Sequence, residues 1–465
     1  MPNNFDLEHG ASEYAGAALG DARRSERLER IGAGVLANPA ATFPKMFRTE
    51  AETEALYRFL QNPSIEPQAI LGPHIEATLA RCEQFDEVLV ASDTSEISFS
   101  TPREGLGRLQ ESRTGFLAHV SLALGFGRFV APVGVLDLRT VHRFGPPKRS
   151  RAEQRRNPNP ESQRWLANVE QVECLAAGLG KKVVHLQDRE GDFFDQLAVM
   201  TKHQLRFVIR QRVDRNCVGP LEAQVKSSEL LASLPADLLR DVTLSERLPW
   251  KRSKTAKTHH APRAARMATL HVRGARMTLL RPEHNHGDQA TASVNVVHVF
   301  EPRPPEGEAA IEWVLMTSEP VETAEQCARV VDMYRARWLI EEFFKALKTG
   351  CAYEERQLEN PHSVVNALAV LVPTAWHLLA LRWAARTQAD APATSLLSPL
   401  QLKILIALSV RVRLRPDPTV REALLAIAGL GGHLKQNGEP GWQTLQKGMG
   451  DLVAGITAVK AMAAM

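Results

Sequence analysis

Two short apolar runs that each end in an acid constrain this chain more than any other part of it: Glu87–Asp93 (E-V-L-V-A-S-D) and Lys182–Asp188 (K-V-V-H-L-Q-D). Both are too short for a usual helix, and their unbroken apolar character is that of a strand buried on both faces. The tip of such a strand reaches a cleft, so each run presents a carboxylate there. The segments around them follow a regular order. Phe116–Phe126 and Phe129–Val141 read as strands with Gly125 and Gly127 in the turn between them, and Glu161–Leu179 as a helix stopped by Gly180. Asp192–Met200 reads as a second helix and Arg206–Arg210 (R-F-V-I-R) as a further strand. Three strands, a helix, a strand, a helix and a strand predict an α/β fold, a mixed sheet covered by helices. Asp93 and Asp188 converge if the first and fourth strands are neighbours.

The flanks differ in kind. Residues 1–75 read as short helices: Asp21 caps an Arg-rich amphipathic turn in Leu19–Leu28, and Glu52–Leu60 runs up to Asn62-Pro63. Their arginines suit a solvated helix face as well as DNA. Residues of about 214–312 interrupt the α/β order with short β-like runs and a cationic stretch, Trp250–Arg266; His142–Pro160 is a basic, Pro-rich loop. The pattern resumes at Trp313–Ser318 and in a long helix from about Thr323. After about residue 387 the chain reads as helical, ending in an Ala-rich helix near Asp451–Met465 with Leu452, Ile456, Val459 and Met462 at helical spacing. That stripe suits a partner subunit or packing within its own. A length of 465 residues fits two or three domains, and a net charge of +4 is too small to name a partner by itself. Five scattered cysteines with no C-x-x-C pair predict reduced thiols in a cytoplasmic protein. The N-terminus has no signal-peptide pattern. Val364–Leu381 is long enough to span a membrane, but Asn366, Pro373 and His377 make it a buried core helix, so no membrane partner is expected.

A third acid lies in Y-R-A-R-W-L-I-E-E-F-F-K-A-L-K. Tyr334, Arg337, Glu341, Lys345 and Lys348 fall at offsets of 3, 7, 11 and 14, one side of a helix with about 3.6 residues per turn. Trp338, Leu339, Phe343 and Leu347 form an apolar opposite stripe expected to face a core. The polar stripe therefore offers an acid, a phenol and three cations to phosphates and a metal. Carboxylates from strand ends and a helix can hold Mg²⁺, a hard cation that prefers oxygen ligands, and two such ions serve phosphodiester chemistry. On spacing alone Asp137 can play the same part as Asp93 or Asp188. His284-Asn285-His286 reads as a polar turn, and His259-His260 has no partners at metal-ligand spacing. There is neither a G-x-x-x-x-G-K-[ST] phosphate loop nor a G-x-S-x-G elbow.

The pattern Y-(2)-R-(3)-E-(6)-K at Tyr334, Arg337, Glu341 and Lys348 resembles the signature of the DDE transposases of the IS-four family of bacterial insertion sequences. The likeness continues in collinear order: L-G-D-x-R-R near the N-terminus, Y-R-F-L-Q-N-P at Tyr57, S-D-T at Ser92, D-R-E-G-D at Asp188, R-F-V-I-R at Arg206, W-V-L-M-T-S-E-P-V-E at Trp313 and L-G-G near Leu430. The resemblance implies a ribonuclease-H-like (retroviral-integrase-like) catalytic core at 76–386 with a β-rich insertion at about 214–312. It also implies an N-terminal helical DNA-binding domain at 1–75 and a C-terminal helical dimerisation domain at 387–465. It implies that Asp93, Asp188 and Glu341 hold two Mg²⁺ ions, replaceable by Mn²⁺, which sets Asp137 aside. It gives Tyr334, Arg337 and Lys348, with Lys345 beside them, to phosphates of double-stranded DNA. Trp313 matches an aromatic that stacks a flipped base during hairpin formation, Arg210 a basic neighbour of it, and Thr94 a small hydroxyl residue after the first acid. A core tryptophan is the other reading of Trp313. The implied partners are transposon ends, target DNA and a second copy in the synaptic complex, in a bacterial cytoplasm at the nucleoid. The alternative is a DNA-binding regulator that performs no chemistry.

Overall fold

Among the described residues, parallel pairing joins three strands. In the computed structural model, residues 12–463 are described apart from 48, 110–112, 145–160, 237, 247–261, 284, 286, 411–412, 435 and 437. Of the basic segments, all but His142–Phe144 of the first and 262–266 of the second lie outside the described residues, as do His259, His260, His284 and His286. The chain forms a mixed α/β fold in two compact units, one made of Met1–Val88, Asp93–Gln154 and Leu339–Met465, the other of Leu89–Ser92 and Arg155–Trp338.

In the first unit, helix α1 (Ala22–Ala37) starts at the expected Asp21 cap, and α2 (Glu50–Gln61) and α3 (Pro67–Cys82) follow. Asp21 accepts the Arg23 N–H at 2.9 Å, and Thr49 accepts the Glu52 N–H at 3.2 Å. Strand β1 (Glu87–Phe99) does not stop at Asp93. Past that acid its burial changes from continuous to partial, with Ile97 and Phe99 buried. It runs on beside β2 (Thr114–Phe126), which pairs antiparallel with β3 (Ala131–Val141). Gly125 belongs to β2 rather than to the turn, paired with Ala131, and its lack of a Cβ leaves room for the Phe85 ring.

The long apolar helix Pro361–Thr387 is the core of this unit, with its most apolar stretch 94% buried. Asn366 sits inside it by donating to the Leu60 and Ile65 carbonyls at 3.1 and 3.0 Å. Glu13, itself buried, accepts from Arg81 at 2.7 Å and from His74 at 2.5 Å. Because His74 Nε2 accepts the Val135 N–H at 3.0 Å, its proton sits on Nδ1, toward Glu13. Burial lowers the His74 pKa despite the carboxylate beside it, in keeping with a neutral ring.

In the second unit, α4 (Gln163–Ala176) leads through Gly180, at φ 64°, to β4 (Val184–Gln187). Then come α5 (Phe194–Lys202) and β5 (Arg206–Arg210). Leu89–Ser92 of β1 pairs parallel with β4, and β4 parallel with β5. Beyond β5 the sheet is antiparallel. Short strands β6 (Asn216–Val218), β7 (Gln224–Lys226) and β8 (Leu238–Leu244) precede two long ones, β9 (Arg266–Leu280) and β10 (Thr291–Phe300). Strand β11 (Glu312–Thr317) closes the path between β10 and β5. Phe194, Leu197, Met200, Phe207, Ile209, Met277, Val294, Val296 and Met316 form the core beneath it.

The helix expected from Thr323 starts there, capped by a reciprocal Thr323–Gln326 box, but α6 spans only Ala324–Ala336. Arg337 interrupts it with a tighter turn, its N–H bonding the Tyr334 carbonyl at 3.1 Å. Helix α7 (Trp338–Lys345) follows, and Ala346–Gly350 is a π turn closed by Cys351 N–H to Ala346 O at 2.8 Å. The regular helical hydrogen-bonding is therefore interrupted at Arg337 and again at Ala346–Gly350. Trp338, expected to face a core, is 55% exposed, whereas Phe343 and Leu347 are buried as expected. The five cysteines are free thiols.

Candidate active site

Ser92, Gln187 and Ile209 lie level across the three parallel strands. The next residues in sequence are Asp93, Asp188 and Arg210. The carboxyl ends of adjacent parallel strands are where open α/β sheets bind ligands, and in the second unit Asp188 and Arg210 follow two such ends.

In the second unit, Asp188 is half-buried and caps a 3₁₀ turn, Arg189–Gly191, by accepting the Glu190 N–H at 2.8 Å. Gly191 is required because a Cβ would run into the Gln187 side chain. The D-R-E-G-D motif holds a second acid, Asp192, with a different task. Asp192 is buried and accepts the Arg212 and Val213 N–H groups at 2.6 and 3.2 Å and the Arg215 guanidinium at 2.9 Å. With its oxygens occupied, Asp192 shapes the turn and Asp188 is the acid left at the strand end.

Trp313, Tyr334, Arg210 and Arg337, four sequence-predicted residues of this unit, come together, and the Asp188 charge is felt at Tyr334. Trp313, half-buried at the start of β11, meets the buried Tyr334 edge-on, with centroids 5.5 Å apart at 67°. The Arg210 guanidinium lies 5.8 Å from the Trp313 ring and donates to the Glu312 carbonyl at 3.1 Å. The Arg337 guanidinium lies 5.7 Å from the Tyr334 ring. Burial raises the Tyr334 pKa, with the two arginines pulling it down and Asp188 pushing it up. Burial likewise lowers the Arg210 pKa, opposed by Tyr334 and reinforced by Arg189 and Arg337. An aromatic plate between partly desolvated cations suits a base and its phosphate.

In the first unit, the Asp93 carboxylate accepts the Thr94 N–H at 2.7 Å, and the Thr94 hydroxyl lies 2.8 Å from Nδ1 of the buried His119. Glu341 is half-buried on α7. Its neighbour Glu342 is held by Lys345 at 2.7 Å and by Arg382 at 3.8 Å. Lys348 is turned inward by the π turn: it donates to the Glu96 carbonyl at 2.5 Å and pairs with Glu354 at 3.8 Å. Burial lowers its pKa, with Glu354 and Glu96 resisting. Asp137 is paired with Arg139 at 2.7 Å. His119 was not singled out in the sequence, although a lone histidine in F-L-A-H-V-S-L-A-L is a visible signal.

Residues 8–65 match the family model for a transposase DNA-binding domain, and residues 192–374 match that for a transposase DDE domain. Over these two stretches the chain is similar to the DNA-binding and DDE domains of transposases. The DDE match takes in Arg210, Trp313, Tyr334, Arg337, Glu341, Lys345 and Lys348, while Asp93, Thr94 and Asp188 precede it. A solved structure described as a piggyBac transposase synaptic complex with hairpin DNA is similar at TM-score 0.40 and 11% identity, over 83% of this chain and 76% of that one. A transposase DDE domain implies a metal-dependent nuclease and strand transferase, with DNA as the partner. Such domains use divalent ions. Among the described residues no three His, Cys, Asp or Glu side chains form a ready-made cage. Mg²⁺ does not require one, since it keeps several waters and is completed by substrate phosphates.

Proposed function

We propose that the chain is a cut-and-paste transposase of the IS-four type, similar to that of the composite kanamycin-resistance transposon, which frees a transposon end through a DNA hairpin and joins its 3′-OH to target DNA. The observation that supports this most is the register: three level parallel strands followed in sequence by Asp93, Asp188 and Arg210. On this reading the core is ribonuclease-H-like, spanning about 76–386 with its β-rich insertion. Residues 1–75 bind transposon ends, and 387–465 join two copies in the synaptic complex, in a bacterial cytoplasm at the nucleoid.

Asp93, Asp188 and Glu341 hold two Mg²⁺ ions, or Mn²⁺ in their place, which supply an activated nucleophile and stabilise the leaving oxygen when bound. Trp313 takes the face of an unstacked base. Arg210, Tyr334 and Arg337 orient the phosphates beside it, and Thr94, Lys345 and Lys348 contact the backbone near the cut. Lys348 must exchange its Glu96 and Glu354 partners for phosphate to do so.

The test is incubation of purified protein with DNA carrying the inverted repeats that flank its own gene. Nicks with 3′-OH ends, then hairpins on the transposon end, appear with Mg²⁺ and disappear with a chelator. Binding of the ends without cleavage in either Mg²⁺ or Mn²⁺ would instead make the chain a silent regulator of transposition.

A further inference from the structure

Strand β1 loses its β4 partner at the point where its acid sits. Pairing with β4 extends through Ser92, and Asp93 is the next residue. The strand itself continues past Asp93, with β2 as its other neighbour in the sheet. What holds the carboxylate locally is a two-step chain of contacts. The Thr94 N–H donates to Asp93 Oδ1 at 2.7 Å, and the Thr94 hydroxyl is tied to His119 Nδ1 at 2.8 Å.

His119 is fully buried in the middle of β2, among Phe116, Leu117, Ala118, Val120 and Leu122. A polar ring in such a strand is costly unless it is hydrogen-bonded, and an aliphatic side chain would fill the same space without that cost. The bond to Thr94 gives the histidine a purpose that packing does not. It fixes the χ1 of Thr94 and the strand immediately beside Asp93, whichever tautomer the ring adopts.

We infer that His119 is a positioning residue for Asp93, acting through Thr94 to hold the carboxylate in the orientation that DNA cleavage requires. This rests on the role proposed above for Asp93. Groups that orient a ligating side chain are worth about tenfold to a hundredfold in activity or metal affinity.

The experiment compares full-length His119→Leu, His119→Asn, Thr94→Val, the His119→Leu/Thr94→Val double variant and Asp93→Asn. Four quantities are read: Mg²⁺-dependent cleavage rate, the Mn²⁺ concentration for half-maximal thermal stabilisation, affinity for end DNA, and melting temperature. His119→Leu and Thr94→Val are each expected to slow cleavage about tenfold to a hundredfold and to raise the Mn²⁺ requirement, with end affinity unchanged. His119→Asn, which keeps a polar atom at the Nδ1 position, is expected to recover most of the rate. The double variant should be no worse than the poorer single one, because both remove the same bond. Penalties that multiply in the double variant, equal damage from Asn and Leu, or normal cleavage and Mn²⁺ response in His119→Leu would each overturn the inference. If His119→Leu fails to fold, Thr94→Val decides, and a normal rate there overturns it. Asp93→Asn separates the two ideas: cleavage at the parent rate defeats the proposed role of Asp93 and this inference with it. An inactive Asp93→Asn beside unaffected His119 and Thr94 variants defeats the inference alone.

Discussion

Asp188 and Asp192 stand four residues apart in one motif, and their surroundings give them opposite work. Asp192 is saturated by two backbone N–H groups and an arginine, so its charge is consumed in holding the turn. Asp188 stands half-exposed at the strand end, where its charge is felt by Tyr334. Trp313 is the residue on which the aromatic plate depends, and its edge-on contact with Tyr334 leaves it half-buried rather than enclosed. Base stacking on an aromatic contributes about 1–3 kcal/mol. Trp313→Ala is therefore expected to leave first-strand nicking near the parent rate and to slow hairpin formation roughly tenfold to a hundredfold, with Trp313→Phe in between. Single-turnover assays on labelled end DNA resolve the two steps. Hairpins formed at the parent rate, or a melting temperature so low that nicking is lost too, would show a packing residue instead.

At the scale of elements, the sequence was most legible where one environment persists along a segment. The caps at Asp21 and Thr323, the strand Arg206–Arg210 and the buried helix around Val364–Leu381 all follow from local chemistry and period. Legibility failed where the environment changes within an element. Beyond Asp93, T-S-E-I-S-F switches to a half-buried pattern that continues the strand, and reading the acid as a strand tip missed it. The spacing argument assumed a constant angle of about 100° per residue, which does not hold through the π turn at Ala346–Gly350. The last helix, α11 (Trp442–Ala463, counting Val420–Leu430 as α10, Pro399–Leu408 as α9 and Pro361–Thr387 as α8), divides the apolar stripe expected of it. Leu452 and Ile456 are buried, whereas Val459 is 42% and Met462 75% exposed. Truncation before Gly450 would strip core residues, so the sharper test is the pair Val459→Glu and Met462→Glu. Both should fold and bind a single end while failing to form a paired-end complex. A gel-shift assay with ends of two lengths checks this, and a mixed-length complex from the double variant would remove the helix from the dimer contact.

For the whole molecule, a net charge of +4 spread over 465 residues says little about DNA. The matches to a transposase DNA-binding domain and a transposase DDE domain supply what bulk composition does not. On the proposed function, three particular acids, and not merely an acidic surface, cut the DNA. Glu341 and Glu342 offer the cleanest discrimination, being adjacent and chemically identical, with Glu342 already engaged by Lys345 and Arg382. The measurement is Mg²⁺-dependent cleavage of end DNA by Glu341→Gln and Glu342→Gln, side by side with end affinity. Glu341→Gln should bind ends with parent affinity and cut at background, while Glu342→Gln retains most of the parent rate. Equal loss in both variants, or cutting by Glu341→Gln at the parent rate, would contradict the account.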